Sequence, residues 1–221
     1  MNPLQLFLAF LLVASVTVSA THAQEVQGDG LAGGKKIAMC IGCHGILGFH
    51  ASFPEVYKVP KISGQGAKYL SAALTAYKRG ERKHPTMRGI TDALTAQDIA
   101  DLAAYYSSNG VNFNLAPLAP APTGSAKAME LVTKGGCITC HGDSFSKPMD
   151  PTYPKIAGQH PDYLYAALKA YKTTDKELIG RSHPIMGGIA KQFSNDELRE
   201  LANYVGSLPG DLKTIPQSWL R

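Results

Sequence analysis

Cys40-Ile41-Gly42-Cys43-His44 returns as Cys137-Ile138-Thr139-Cys140-His141, and the two pentapeptides use every cysteine of the chain. Two thiols spaced in this way lie about one helical turn apart, so both can add to the vinyl groups of one porphyrin. The histidine after the second thiol then falls under the metal, which is the arrangement of covalent c-type haem attachment. The doubled motif predicts two covalently bound haem c groups. Cys40 and Cys43 would hold one, Cys137 and Cys140 the other, with His44 and His141 as the proximal iron ligands. A Cys-x-x-Cys pair can also be a thiol redox couple, a short disulfide or half of a zinc site. None of these needs a histidine directly after the second cysteine, and a zinc site would require the two pairs to meet across most of the chain.

The duplication extends well beyond the cysteines. Val59-Pro60-Lys61-Ile62-Ser63-Gly64-Gln65 matches Tyr153-Pro154-Lys155-Ile156-Ala157-Gly158-Gln159, and His84-Pro85-Thr86-Met87 matches His183-Pro184-Ile185-Met186. Between these blocks, Tyr69, Leu70, Ala73, Leu74 and Tyr77 share one helical face, as do Tyr163, Leu164, Ala167, Leu168 and Tyr171. A final helix repeats Ile99, Leu102, Ala103 and Tyr106 as Leu198, Leu201, Ala202 and Val205. Its start is marked by the capping box Ser194-x-x-Glu197 with Phe193 and Leu198 as a staple, and less strongly by Thr95-x-x-Asp98 with Leu94 and Ile99. Short helices are expected over Lys35 to Met39 and Ala126 to Thr133, leading into each cysteine motif. No alternating run is long enough to argue for a sheet. The fold class predicted is all-α: two tandem domains, each a small helical bundle wrapped around a covalently attached haem that completes its core.

The ends of these units follow from composition. Leu6 to Val18 is almost entirely apolar, no charged residue precedes Glu25, and small residues end the stretch at Ala20 and Ala23. Residues 1–23 are therefore expected to be a secretory signal peptide cleaved after Ala23, which places the body in the periplasm. The segment has no Lys or Arg before its apolar core, and retention as an anchor is the competing reading. Its length falls short of the ~20 residues that span a bilayer. Residues 24–111 form the first domain and residues 125–221 the second. The Pro- and Ala-rich stretch 112–124 is an extended linker.

The tandem order resembles the dihaem cytochrome c4 family, built of class I cytochrome c domains, over nearly the whole mature chain. That resemblance implies a methionine as the sixth iron ligand, in the loop before the last helix. Met87 and Met186 occupy this place, and of the six methionines only these two pair under the duplication. His84 and His183, three residues earlier, are the competing ligands and would lower the potential. Their other reading is a surface or supporting role. The resemblance also gives Pro60 and Pro154 a part: their carbonyls would accept a hydrogen bond from His44 and His141 and raise ligand basicity.

An iron with two protein ligands has no open position for a substrate, so the expected role is transfer of single electrons and not catalysis. The resemblance implies a respiratory carrier delivering electrons towards a terminal oxidase or reductase. The stretch Ile185-Met186-Gly187-Gly188-Ile189-Ala190-Lys191 is similar to the haem subunit of flavocytochrome c sulfide dehydrogenases, which keeps a dihaem electron-accepting subunit as the alternative. The expected partners are redox proteins, whether a respiratory complex, an oxidase or a flavoprotein dehydrogenase, with loose membrane association possible. The formal charge of +5 is mild and spread over both halves, and nothing in it points to nucleic acid. Lys35, Lys36, Lys78, Arg79, Arg82, Lys83 and Arg88 are candidates for steering an acidic partner.

Overall fold

Each half of the chain builds its last helix from a start signal that is local and complete. In the first half, Thr95 Oγ1 accepts from the Asp98 amide at 3.1 Å while the Asp98 carboxylate accepts from the Thr95 amide at 2.9 Å. In the second, Ser194 and Glu197 exchange the same pair of bonds at 3.2 and 2.7 Å. Each exchange satisfies amides that the helix leaves unpaired at its N-terminus. A computed structural model describes residues 26–109, 125–173 and 175–216. The predicted signal peptide (1–23) and linker (112–124) lie outside the described residues.

The first domain contains α1 (Gly30–Gly34), α2 (Ala38–His44), β1 (His50–Ala51), β2 (Tyr57–Lys58), α3 (Ala67–Lys78), β3 (Arg82–Lys83), α4 (Pro85–Asp92) and α5 (Ala96–Ser108). The second contains α6 (Ala126–Lys134), α7 (Cys137–His141), α8 (Pro161–Lys172), β4 (Gly180–Arg181), α9 (Pro184–Ala190) and α10 (Asn195–Ser207). The predicted faces are the buried ones. Leu102, Ala103 and Tyr106 of α5 pack with Ile37, Ile41 and Leu70, and Leu198, Leu201, Ala202 and Val205 of α10 pack with Leu131, Phe145 and Phe193. Among the described residues no helix is long and apolar enough to cross a membrane.

Two expectations are corrected. The helix anticipated over Lys35 to Met39 is displaced: α1 ends at Gly34, Lys35 to Ile37 form a turn, and α2 begins at Ala38. The cause is tertiary. Asp29 caps α1 through its carboxylate, and Lys36 is drawn to Asp101 and Asp98 of α5 at 2.6 Å each. Second, the described residues include four strands of two residues each, paired antiparallel as β1–β2 and β3–β4. Elements this short leave no period to read, and the helical class is unaffected.

The β3–β4 pair joins the two domains, with Arg82 opposite Arg181 and Lys83 opposite Gly180. Ser182 donates to the Glu81 carbonyl at 2.7 Å and Lys213 to the Ser63 carbonyl at 3.0 Å. Lys169 pairs with Glu55 at 2.6 Å, and the Lys58 amide donates to Asp162 at 3.0 Å.

Candidate haem-binding sites

Helix α2 carries Cys40, Cys43 and His44 on little more than one turn, and α7 carries Cys137, Cys140 and His141 in the same way. No disulfide joins any of the four cysteines. Burial raises the pKa of Cys40 and of Cys137. No group of three or more His, Cys, Asp or Glu that could hold a bare metal ion occurs among the described residues. The cysteine pairs stay in separate domains, so the zinc reading has no site.

Both histidines are held by the loop that follows them. His44 Nδ1 donates to the Pro60 carbonyl at 2.8 Å, and His141 Nδ1 donates to the Pro154 carbonyl at 3.1 Å. A carbonyl can only accept, so each Nδ1 carries the proton and each Nε2 keeps a free lone pair. Burial lowers the pKa of both rings, against the opposing effect of the carbonyl. A neutral, oriented imidazole is what iron ligation requires.

Met87 and Met186 sit in the first turns of α4 and α9, both half-buried. The His-Pro-x-Met blocks are explained by the helix start. His84 Nδ1 accepts from the Met87 amide at 3.4 Å and His183 Nδ1 from the Met186 amide at 3.3 Å, each with proline at the first helical position. The histidines thus act as N-caps that set the backbone of the methionine turn. Sequence reading missed this role, although a proline after a residue able to cap was the available signal.

A cavity of about 430 Å³ opens between the two domains, lined by Cys40, Cys43, His44 and Met87 and, from the other half, by Pro154 and Arg181. Two further features mark it as the seat of a large, partly anionic group. Arg82 lies 5.2 Å over the Tyr69 ring and donates to its hydroxyl at 3.3 Å. Arg181 lies 5.5 Å over Tyr163 and donates to that hydroxyl at 3.0 Å. Among the described residues neither guanidinium has a carboxylate within ion-pair distance, and a half-buried positive charge is stabilised by an anion beside it. The second feature is Tyr106: its buried hydroxyl faces the Cys40 thiol and has no other hydrogen-bond partner among the described residues. Paired thiols, a tautomer-defined imidazole, a thioether and cations without a carboxylate partner at an apolar hollow fit a haem with its two carboxylates.

Arg82 must therefore leave the list of surface charges that could steer a partner, and so must Lys36, which is paired with Asp98 and Asp101. Lys78 donates to the carbonyls of Asp92 and Leu94, and Lys83 to that of Lys176 at 2.7 Å. Lys35, Arg79 and Arg88 remain exposed.

Comparison with known proteins agrees with this geometry. A family model described as cytochrome c matches residues 31–109 and again 125–209. The chain is 31% identical over 210 residues to cytochrome c4 of Stutzerimonas stutzeri, covering 87% of this chain and 95% of that one. It is 28% identical over 181 residues to the thiosulfate dehydrogenase electron acceptor of Thiomonas intermedia, covering 78% and 79% respectively. The crystal structure of reduced recombinant cytochrome c4 from Pseudomonas stutzeri superposes with a TM-score of 0.62 at 30% identity, over 82% of this chain and all of that one. Two haem c groups, one per half, go with this likeness, and by it the chain belongs to the dihaem cytochrome c4 family of tandem class I cytochrome c domains.

Proposed function

We propose that this chain carries single electrons between redox proteins of the periplasm. In this reading His44 and Met87 ligate one iron, His141 and Met186 the other, and Cys40, Cys43, Cys137 and Cys140 form the thioether links. The observation that carries it is the duplicated pairing of an imidazole tied at Nδ1 with a methionine turn set by its own cap. Haem bound here would supply reversible one-electron oxidation at iron. The chain's own residues do the rest. Pro60 and Pro154 hold the imidazoles in one orientation, so little moves when charge does. The apolar walls exclude water, and a thioether ligand favours the ferrous state, which raises the potential.

An optical spectrum of both oxidation states tests the ligand set. A weak red-edge band of methionine–iron bonding in the ferric protein is expected, together with two haem equivalents by pyridine haemochrome. Absence of the band at both irons would return the assignment to His84 and His183.

The donor has two readings. A respiratory complex upstream of a terminal oxidase is the first. The second is a dehydrogenase that uses this chain as its dedicated acceptor; the likeness to a thiosulfate dehydrogenase electron acceptor speaks for it, while the higher identity to cytochrome c4 speaks for the first. Exposed Lys35, Arg79 and Arg88 suit an acidic docking face in either case. Stopped-flow reduction by a quinol-oxidising complex and by a periplasmic dehydrogenase, compared at two salt concentrations, separates them.

A further inference from the structure

Gln65 and Gln159 occupy the same place in the two repeats, each is only 4% exposed, and neither lies in the cysteine or methionine motifs. Each reaches into the opposite domain and holds one residue there by both of its backbone groups. Gln159 Oε1 accepts from the Lys61 amide at 2.9 Å, and its Nε2 donates to the Lys61 carbonyl at 2.9 Å. Gln65 does the same to Lys155, accepting from the amide at 2.9 Å and donating to the carbonyl at 2.9 Å. The Lys61 amide belongs to the same peptide unit as the Pro60 carbonyl, which accepts from His44. The Lys155 amide likewise shares its peptide unit with the Pro154 carbonyl, which accepts from His141.

Two continuous relays result. One runs from Gln159 through the Pro60–Lys61 peptide to His44, the other from Gln65 through the Pro154–Lys155 peptide to His141. A peptide whose N–H is engaged becomes a better acceptor at its C=O, because the two bonds polarise one another. A stronger bond at Nδ1 makes the imidazole a stronger donor at Nε2. The two relays are not equal: Lys61 Nζ adds a bond to the Gly158 carbonyl at 2.6 Å, whereas Lys155 Nζ goes to Asp211 at 3.0 Å. The bond to His44 is also the shorter of the two.

We infer that Gln65 and Gln159 are positioning residues acting crosswise: each sets the donor strength of the proximal histidine in the other domain. The inference rests on His44 and His141 being iron ligands. It makes the interface a tuning element of both redox centres as well as a contact.

The test uses the holoprotein with Gln159→Leu and, separately, Gln65→Leu. Where either fails to incorporate haem, Gln→Met at that position keeps the length without the hydrogen bonds. The readouts are the two midpoint potentials, assigned to each half by haem-methyl NMR, and solvent exchange of the two Nδ1 protons in the reduced protein. Gln159→Leu is expected to raise the potential of the haem held by His44 and to speed exchange of its Nδ1 proton about 5-fold, the size expected if the Nδ1 bond weakens by about the worth of one neutral hydrogen bond. His141 and its haem stay unchanged. Gln65→Leu gives the mirror result. Shifts confined to the haem of the substituted domain, equal shifts at both haems, or no shift would each overturn the proposal. A wild-type spectrum without histidine ligation would instead refute the ligand assignment, and does so before any glutamine is changed.

Discussion

Gly33→Ala tests whether the crossing of α1 over α5 is as close as the structure makes it. A Cβ built on Gly33 falls 2.1 Å from the Asp101 carbonyl oxygen, where 3.0 Å is the shortest approach that real Cβ atoms show. Helix α1 would have to retreat by about 1 Å, since the obstacle is backbone and cannot rotate away. The retreat strains contacts anchored on either side of Gly33: the Asp29 amide to Asp101 at 2.8 Å and Lys36 to Asp101 at 2.6 Å. Overpacking of this kind costs about 1–3 kcal/mol, and a backbone obstacle puts the variant in the upper half of that range. A loss of ~2 kcal/mol lowers the melting midpoint by about 4–8 °C if both domains unfold together, and by more if the first unfolds alone. Circular dichroism melting of the holoprotein is the assay. Gly42→Ala is the control, because nothing lies within 4 Å of a Cβ there and alanine favours the helix. If Gly33→Ala melts with wild type, or no lower than Gly42→Ala, the close crossing is wrong.

Three further outcomes are expected. Met87→Ala should let the reduced protein bind one equivalent of carbon monoxide and lower the potential of that haem alone, with Met186→Ala as its mirror; a variant that binds none is not missing a ligand. Leu198→Ala removes a side chain that is 1% exposed in the second core, and urea unfolding should register a loss of about 2.7–5 kcal/mol, so a cost below ~1 kcal/mol would contradict the packing. Burial, then the charge of Lys61, pushes the pKa of His160 down to about 4 from 6.5. The unfolded chain therefore takes up this proton first, and the stability His160 allows at neutral pH is lost progressively as pH falls from 6.5 to 4, with no further loss below. His160→Gln should flatten that part of the urea-midpoint profile, and equal slopes in variant and wild type would exclude His160 as the source.

What was legible in the sequence is what one short segment decides alone. The capping boxes at Thr95 and Ser194, the buried stripes of α5 and α10 and the paired cysteine motifs all depend on residues within a turn or two of each other. The displaced first helix was not legible because its end is set by Lys36 meeting carboxylates on α5. Arg82 read as one surface charge among several for the same reason: its partners are Tyr69 and Tyr77, and its neighbour across the strand pair is Arg181. The caps formed by His84 and His183 were hidden differently, by a residue type better known as an iron ligand.

The duplication nevertheless held information about the interface. A contact between two copies of one motif can be self-complementary, in which case a position meets its own counterpart or two positions meet reciprocally. Arg82 opposite Arg181 is the first case; Lys61 with Gln159 and Lys155 with Gln65 is the second. Residues kept in both repeats carry several demands: Leu70 and Leu164, with Leu102 and Leu201, answer to the core of their own domain. Cys, His, Met and Pro answer to the cofactor each half holds. Gln65 and Gln159 answer to none of its bonds, which leaves the opposite domain as the reason for their presence in both halves. In a tandem chain, the repeated polar residues that neither the site nor a helix cap uses are therefore the ones to place between the domains, before any coordinates are seen.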